Sequence, residues 1–382
     1  MYRFFIFFAV MISVFSLIGY YIHNRLMQSF AGTFLQSRFT TVILILMATS
    51  MIAGYILQNF SINTFTENLI RVGAFALGVL FYLFIFFLFF DIVWLANHFL
   101  HFIPETGKFN IEKLKFISGL FTLTLSFAFV LYGYINANNT KIVNLELKTD
   151  KPLKDNKPIN IVALSDIHLG TTVNHAKVDK MIEEINKLNP DVVLIGGDII
   201  DNNIKVVKYH KLIERFSEIK SRYGIFTCMG NHDYISRAYL NPEYYEQNGI
   251  NILKDTAVVI DGRFALTGRD DHSAYGITGK HRKALHELQK NIDAKLPQIL
   301  IDHQPFDLGE TSKLGFDFQF SGHTHRGQFW PLRYITSALF EKDWGYKKKG
   351  NTHFYISSGF GTSTIPMRIG TQSEIVNLIL TN

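Results

Sequence analysis

Cysteine is nearly absent: Cys228 stands alone among 382 residues, which excludes an intramolecular disulfide and leaves the compartment open. No internal repeat or low-complexity tract is present, so repeat architectures are excluded too. Basic residues are not interleaved with aromatics, and the net charge of +6 therefore does not mark a nucleic-acid surface. Charge is nearly missing from four apolar runs, residues 4–21, 42–57, 72–100 and 116–135. Runs of about this length cross a bilayer as helices. The composition, 48% apolar and 14% aromatic, is rich for a protein dissolved in water. The first expectation is an N-terminal region of four transmembrane helices over residues 1–135, in a multi-pass integral membrane protein.

Arg3 precedes the first run in the manner of a signal peptide, but no small-x-small cleavage site follows and further spans do. Run 42–57 is short for a span; a re-entrant or interfacial segment is its alternative, and losing it would invert the topology. Asp91 sits inside FFLFFDIVW, where an ionised carboxylate is costly unless it faces other helices or water. A hydrogen bond to Trp94, Asn97 or a neighbouring helix is the expected arrangement. Lys141, Lys148, Lys151, Lys154 and Lys157 follow the fourth run and suit anionic headgroups, so membrane lipids are the expected partners and nucleic acid is not. The loops opposite the termini carry Arg25, Arg38, Lys108, Lys113 and Lys115, against Arg3 and Arg71 on the near side. Without the lysines of the C-terminal domain, the positive-inside rule places that domain outside the cytoplasm.

Beyond a polar break, NANNT, no run is long enough to span a membrane. Residues 136–158 read as a linker and a leading strand, in which Val143, Leu145 and Leu147 alternate. Residues 159–382 read as one domain. INIVALSD, DVVLIGGD and YGIFTCMGNHD are strands, separated by helices over 178–188 and 205–220, a βαβαβ start that implies parallel pairing. VVIDGRFALTG, QILIDHQP, FQFSGHTH, HFYISSGFG and EIVNLILTN are further strands, with one helical stretch near 280–292. The fold class expected is α/β, a four-layer αββα sandwich of two mixed sheets flanked by helices.

Each strand ends in a potential metal donor. Asp166 and His168 follow the first, Asp198 the second, Asn231 and His232 the third, then His303, then His323 and His325. Carboxyl ends of strands in open α/β sheets gather ligand sites. Carboxylate, amide oxygen and imidazole together suit Mn, Fe or Zn rather than a structural thiolate site. If His323 and His325 continue a strand, alternation turns both rings to one face.

These residues fall in five ordered blocks: SDIHLG (Asp166, His168), GGDIID (Asp198, Asp201), GNHD (Asn231, His232, Asp233), DHQP (His303) and GHTH (His323, His325). The chain here resembles the calcineurin-like metallophosphoesterases. SDIHLG, HQP, GHTHRGQ and SSGFGTSTIPMRIG followed by EIVNLIL look like the signatures of a bacterial membrane-associated branch. The resemblance implies two divalent metal ions, one on Asp166, His168, Asp198 and His325, the other on Asp198, Asn231, His303 and His323. It implies that His232 meets the phosphate and protonates the leaving oxygen, and that Asp233 orients it. Asp270 and Asp271 of the GRDD segment, Arg326 and Arg368 are the candidate substrate-binding residues, with Arg368 either contacting substrate or bracing the site. The implied activity is hydrolysis of a phosphodiester or pyrophosphate bond by a hydroxide shared between two cations. The favoured substrate is lipid-linked or a nucleotide-lipid, such as UDP-2,3-diacylglucosamine, in a bacterial inner or plasma membrane. A water-soluble phosphodiester, or a non-catalytic scaffold on the same fold, is the alternative.

Overall fold

Four long helices open the chain: α1 (Tyr2–Ser29), α2 (Arg38–Gln58), α3 (Thr64–Leu100) and α4 (Ile111–Ala137). This computed structural model describes residues 2–102 and 111–382. Among the described residues, α2, α3 and α4 are long and apolar enough to cross a membrane. The first expected span lies within α1, some of whose side chains fall outside the described residues, and Lys108 of the charge comparison falls outside them as well. Run 42–57 lies inside α2, an unbroken helix of 21 residues. At the start of α3 the Asn63 side chain accepts from the Thr66 amide and Thr66 Oγ1 accepts from the Asn63 amide, satisfying two otherwise orphaned donors.

Asp91 on α3 finds its partners on a neighbouring helix rather than at Trp94 or Asn97. The Tyr21 hydroxyl donates to it, and Arg25 pairs with it at 2.8 Å.

The chain divides into two compact units, Met1–Tyr132 and Gly133–Asn382. The second contains two six-stranded sheets. The first sheet runs β1 (Thr140–Lys148), β12 (Ser373–Thr381), β2 (Ile159–Leu164), β3 (Val192–Ile195), β4 (Ile225–Thr227), β5 (Ile250–Ile252). The second runs β10 (Gly345–Lys349), β11 (Thr352–Ile356), β9 (Phe318–Ser321), β8 (Gln298–Ile301), β7 (Phe264–Gly268), β6 (Thr256–Ile260). Strands β2 to β5 are parallel, while β12 is antiparallel to β2 and parallel to β1, so the sheet is mixed. The second sheet is mixed too, since β6 and β10 at its edges run antiparallel to their neighbours.

Alternation along the strands builds the layers. Ile161 and Ala163 of β2 pack between the sheets with Leu194, Phe226, Leu266, Ile301, Phe318 and Phe320. Val162 and Leu164 face the opposite way, onto Val178, Met181, Ile182 and Ile185 of α5 (His175–Lys187). Outside the second sheet, Leu285 and Leu288 cover Leu300, and Leu308 covers Phe354 and Ile356. Helices, sheet, sheet and helices therefore stack as the expected four layers.

Several local expectations change. The helix expected over 205–220 is broken into α6 (Ile204–Tyr209) and a short 3-10 turn, Glu214–Glu218. VVIDGRFALTG is not one strand but the β6–β7 hairpin, turning at Asp261 and Gly262 with positive φ. The helical stretch near 280–292 contracts to one turn, Leu285–Leu288. The expected leading strand is present as β1, which pairs with β12 over its whole length, in the unit that begins at Gly133.

Candidate metal centre

All seven expected donors sit just past strand ends. Asp166 and His168 follow β2, Asp198 follows β3, Asn231 opens α7 (Asn231–Ile235) after β4, His303 follows β8, and His323 and His325 follow β9. Asp166, His168, Asp198, His323 and His325 all have positive φ, between 47° and 71°. Left-handed backbone is costly for such residues and persists only where surrounding structure demands it. The expectation that His323 and His325 alternate along a strand is therefore wrong. β9 stops at Ser321, and each histidine is aimed by its own left-handed turn.

Their aims differ. His325 Nε2 lies 3.0 Å from His168 Nε2 and 3.4 Å from Asp166 Oδ1. His323 Nδ1 lies 2.8 Å from Asn231 Oδ1, which is 3.1 Å from His303 Nε2. Asp198 Oδ2 stands 3.2 Å from His303 Nε2 and 3.9 Å from His168 Nε2, so one carboxylate joins two sets of donors. Donors about 2.1 Å from a common cation and at right angles to one another stand about 3 Å apart, so these spacings fit divalent ions. The outer ring nitrogens agree. His303 Nδ1 donates to the Gly196 carbonyl at 2.7 Å and His168 Nδ1 faces the Asp201 carboxylate at 3.2 Å, which turns each Nε2 toward the other donors.

Glycine is required where the backbone meets these carboxylates. A Cβ on Gly230 would lie 2.1 Å from Asp198 Oδ1, and one on Gly322 would lie 2.2 Å from Asp166 Oδ2.

Electrostatics separates the rings. Burial opposes ionisation of Asp198, yet the charges of His303, His232 and His168 outweigh it and hold the carboxyl well below its usual range. Burial likewise opposes protonation of His303, and Asp198 overrides it and lifts the ring well above the ordinary value. Burial and the charge of His303 carry His323 down to about 4. Burial, helped by His168 and Arg368, keeps His325 low.

His232 lies beside the donors but is held from elsewhere than expected. Its Nδ1 donates to the Asp201 carbonyl at 2.9 Å, with the Asp201 carboxylate at 3.2 Å. Asp233 instead accepts from the amides of Gly230 (2.9 Å) and Asp198 (3.0 Å) and from the Tyr245 hydroxyl (3.1 Å). As the third residue of α7 it reaches back to the turn before the helix. Asp233 thus fixes the loops that carry Asp198 and Asn231, and Asp201 orients His232. The GGDIID block contains Asp201, three residues after Asp198, and that spacing is the only sequence signal for its role.

Of the four candidate substrate contacts, three are sealed in. Arg368 is fully buried and donates to the carbonyls of Gly359 (3.0 Å) and Gly361 (2.6 Å), with His325 Nδ1 at 3.4 Å, so it braces the centre. Asp270 accepts from the Tyr234 hydroxyl at 2.5 Å, and Asp271 accepts from Gln304 at 2.9 Å. Arg269, just before them, pairs with Glu310 (3.3 Å) and Asp302 (3.6 Å). Arg326 alone is partly exposed, its guanidinium 3.9 Å above the Trp344 ring.

A two-sheet sandwich with carboxylates and imidazoles converging at its strand ends is an arrangement suited to metal-assisted hydrolysis. The family profile described as Calcineurin-like phosphoesterase matches residues 159–327. A Danio rerio transmembrane protein with metallophosphoesterase domain is 27% identical over 373 residues, covering 94% of this chain and 84% of that one. A metallophosphoesterase of Helicobacter pylori strain J99 is 31% identical over 289 residues, 72% of this chain and 75% of its own. Among solved structures, TT1561 of Thermus thermophilus aligns with 54% of this chain and 92% of that one, at 14% identity and TM-score 0.35. The chain belongs to the calcineurin-like metallophosphoesterase family, and it carries candidate membrane-spanning helices ahead of the phosphoesterase domain.

Proposed function

We propose that this membrane-anchored phosphoesterase hydrolyses a phosphodiester or pyrophosphate bond of a lipid-linked or nucleotide-lipid substrate, with two divalent cations (Mn, Fe or Zn) sharing Asp198. The carrying observation is the placement of Asp198 Oδ2 between His303 and His168, which joins the two donor sets. When bound, the cations supply Lewis acidity toward phosphate oxygens and lower the pKa of water. Asp166, His168 and His325 would hold one cation; Asn231, His303 and His323 would hold the other. His232 supplies a proton to the leaving oxygen. Burial alone would lower its pKa, but Asp201 and the charge of Asp198 lift it to about 9, which favours the proton-donating form of the ring.

The lipid-linked reading rests on the rim. The helix Arg333–Leu339 follows the His325–Gly327 turn and leaves Tyr334, Ile335 and Leu339 exposed by 57%, 55% and 71%. Phe340, next in sequence, stands 6.1 Å from the His323 ring and stacks on Phe306. Apolar surface of this kind beside a polar centre suits an acyl chain better than a soluble nucleotide. The charge distribution of the membrane loops supports an extracytoplasmic catalytic domain.

Hydrolysis of bis-p-nitrophenyl phosphate with Mn by wild type, Asp198→Ala and His232→Ala tests the chemistry; equal rates in all three sink it. A screen of lipid-linked diphosphates against soluble phosphodiesters tests the substrate class, and a higher kcat/KM for the soluble set overturns the lipid reading.

A further inference from the structure

Two lysines that are not metal donors, Lys177 and Lys180, meet where α4 ends and α5 begins. A cavity of about 230 Å³ opens there, lined among others by Asn138, Thr172, Asn174, Lys177, Lys180 and Thr362. Among the described residues, no acidic side chain lines it. Lys177 Nζ donates to the Ala137 carbonyl and Lys180 Nζ to the Asn138 carbonyl, each at 2.9 Å. These acceptors are neutral, and the carboxylates of α5 and its surroundings pair with Lys187 and Arg215 instead. The Lys177 ammonium lies over the Phe360 ring at 5.3 Å. Burial, then the charges of Arg368 and Lys180, push it down to about 7. An ammonium so placed is short of negative charge.

The first turn of α5 faces the same space. Asn174, its N-cap residue, and Ala176 line the cavity, and the Asn174 side chain makes no capping hydrogen bond. First-turn amides and the helix dipole then add to the field of the two lysines. Hydroxyls of Thr172 and Thr362 and the amide of Asn138 supply neutral donors. Two lysines, several uncharged donors and no acid match a phosphate better than a sugar or a metal ion, and a bound anion would favour the charged form of Lys177.

We propose that this cavity binds a phosphate-bearing anion, supplied either as the headgroup phosphate of a membrane phospholipid or as free phosphate. The last turn of α4, a helix apolar enough to cross a bilayer, forms part of its wall through Tyr134 and Ala137. A headgroup at the end of that helix is within reach without leaving the lipid. The proposal stands apart from the hydrolase reading, because none of these residues is a metal donor.

The test uses the full-length protein in detergent, titrated with phosphatidylglycerol or phosphatidylcholine and read by native mass spectrometry, with inorganic phosphate as competitor. Wild type should retain one phosphatidylglycerol per chain in preference to phosphatidylcholine. Lys180→Gln should weaken that retention about fivefold, in line with one lysine at a membrane surface, and Lys177→Met with Lys180→Gln more than about tenfold. Lys177→Arg should restore it. Displacement by millimolar phosphate would identify the free anion as an occupant; persistence would identify the lipid; both support a phosphate site. Unchanged retention in Lys180→Gln and in the double variant overturns it. Unaltered Mn-dependent hydrolysis of bis-p-nitrophenyl phosphate shows that the variants are folded, and the single Lys180→Gln variant keeps the test open should Lys177→Met fail to fold.

Discussion

One oxygen of Asp201 serves two rings: Oδ1 lies 3.2 Å from Nδ1 of His232 and 3.2 Å from Nδ1 of His168. In the proposed assignment His168 is a metal donor and His232 is not, although His232 also stands within reach of His168 and Asp198. Asp201→Asn should therefore lower both metal affinity and turnover, each by about 10–100-fold, the usual effect of losing a carboxylate behind a ligating imidazole. His232→Ala should cut kcat by about 10²–10⁴ while leaving bound metal at the wild-type level. Metal analysis beside steady-state kinetics checks both; metal loss in His232→Ala would place that ring among the donors.

His323 and His325 point at different partners, Asn231 and His168. Either alanine variant should bind less metal than wild type, while Asp198→Ala, which removes the shared carboxylate, should bind least. Elemental analysis after gel filtration without chelator gives the answer. Two equivalents of metal in either histidine variant would break the assignment.

Gly230→Ala puts a methyl 2.1 Å from Asp198 Oδ1 and 2.6 Å from its amide nitrogen. Backbone cannot give way there cheaply, since the same turn is pinned by Asp233. Activity should fall at least about 100-fold, as expected for misplacing a reacting group by an ångström. A near-normal kcat/KM would show that the Asp198 turn is looser than its hydrogen bonds imply.

Arg368→Met should destabilise the phosphoesterase unit by about 3 kcal/mol, because it strips buried carbonyls of their charged donor. Denaturant unfolding measures this. A raised KM at unchanged stability would instead make Arg368 a substrate contact.

What is legible in the sequence follows from the physics of each segment. INIVAL, VVLI and QILI are buried on both faces and bounded by polar residues, so their ends, and with them the donors, are marked by the switch itself. The two-sheet sandwich follows from strands that end one after another in such residues. GYKKK of β10 hides because it is an edge strand whose lysines face water, and β5 is only three residues long. Asp233 misleads because adjacency to His232 in sequence says nothing of direction on a helical first turn. Arg368 is ambiguous for the opposite reason: its worth depends on carbonyls at Gly359 and Gly361 that no side-chain pattern announces.

Strand β12 lies between β1 and β2, yet it is made after every strand from β3 to β11 has left the ribosome. Until then β1 and β2 each lack the neighbour that β12 supplies and present an unpaired hydrogen-bonding edge. The nascent domain must wait, open along one seam, for its last strand. A stalled or shortened chain would offer that seam to any extended segment nearby, so synthesis speed and chaperone cover at this step bear on yield as much as final stability does.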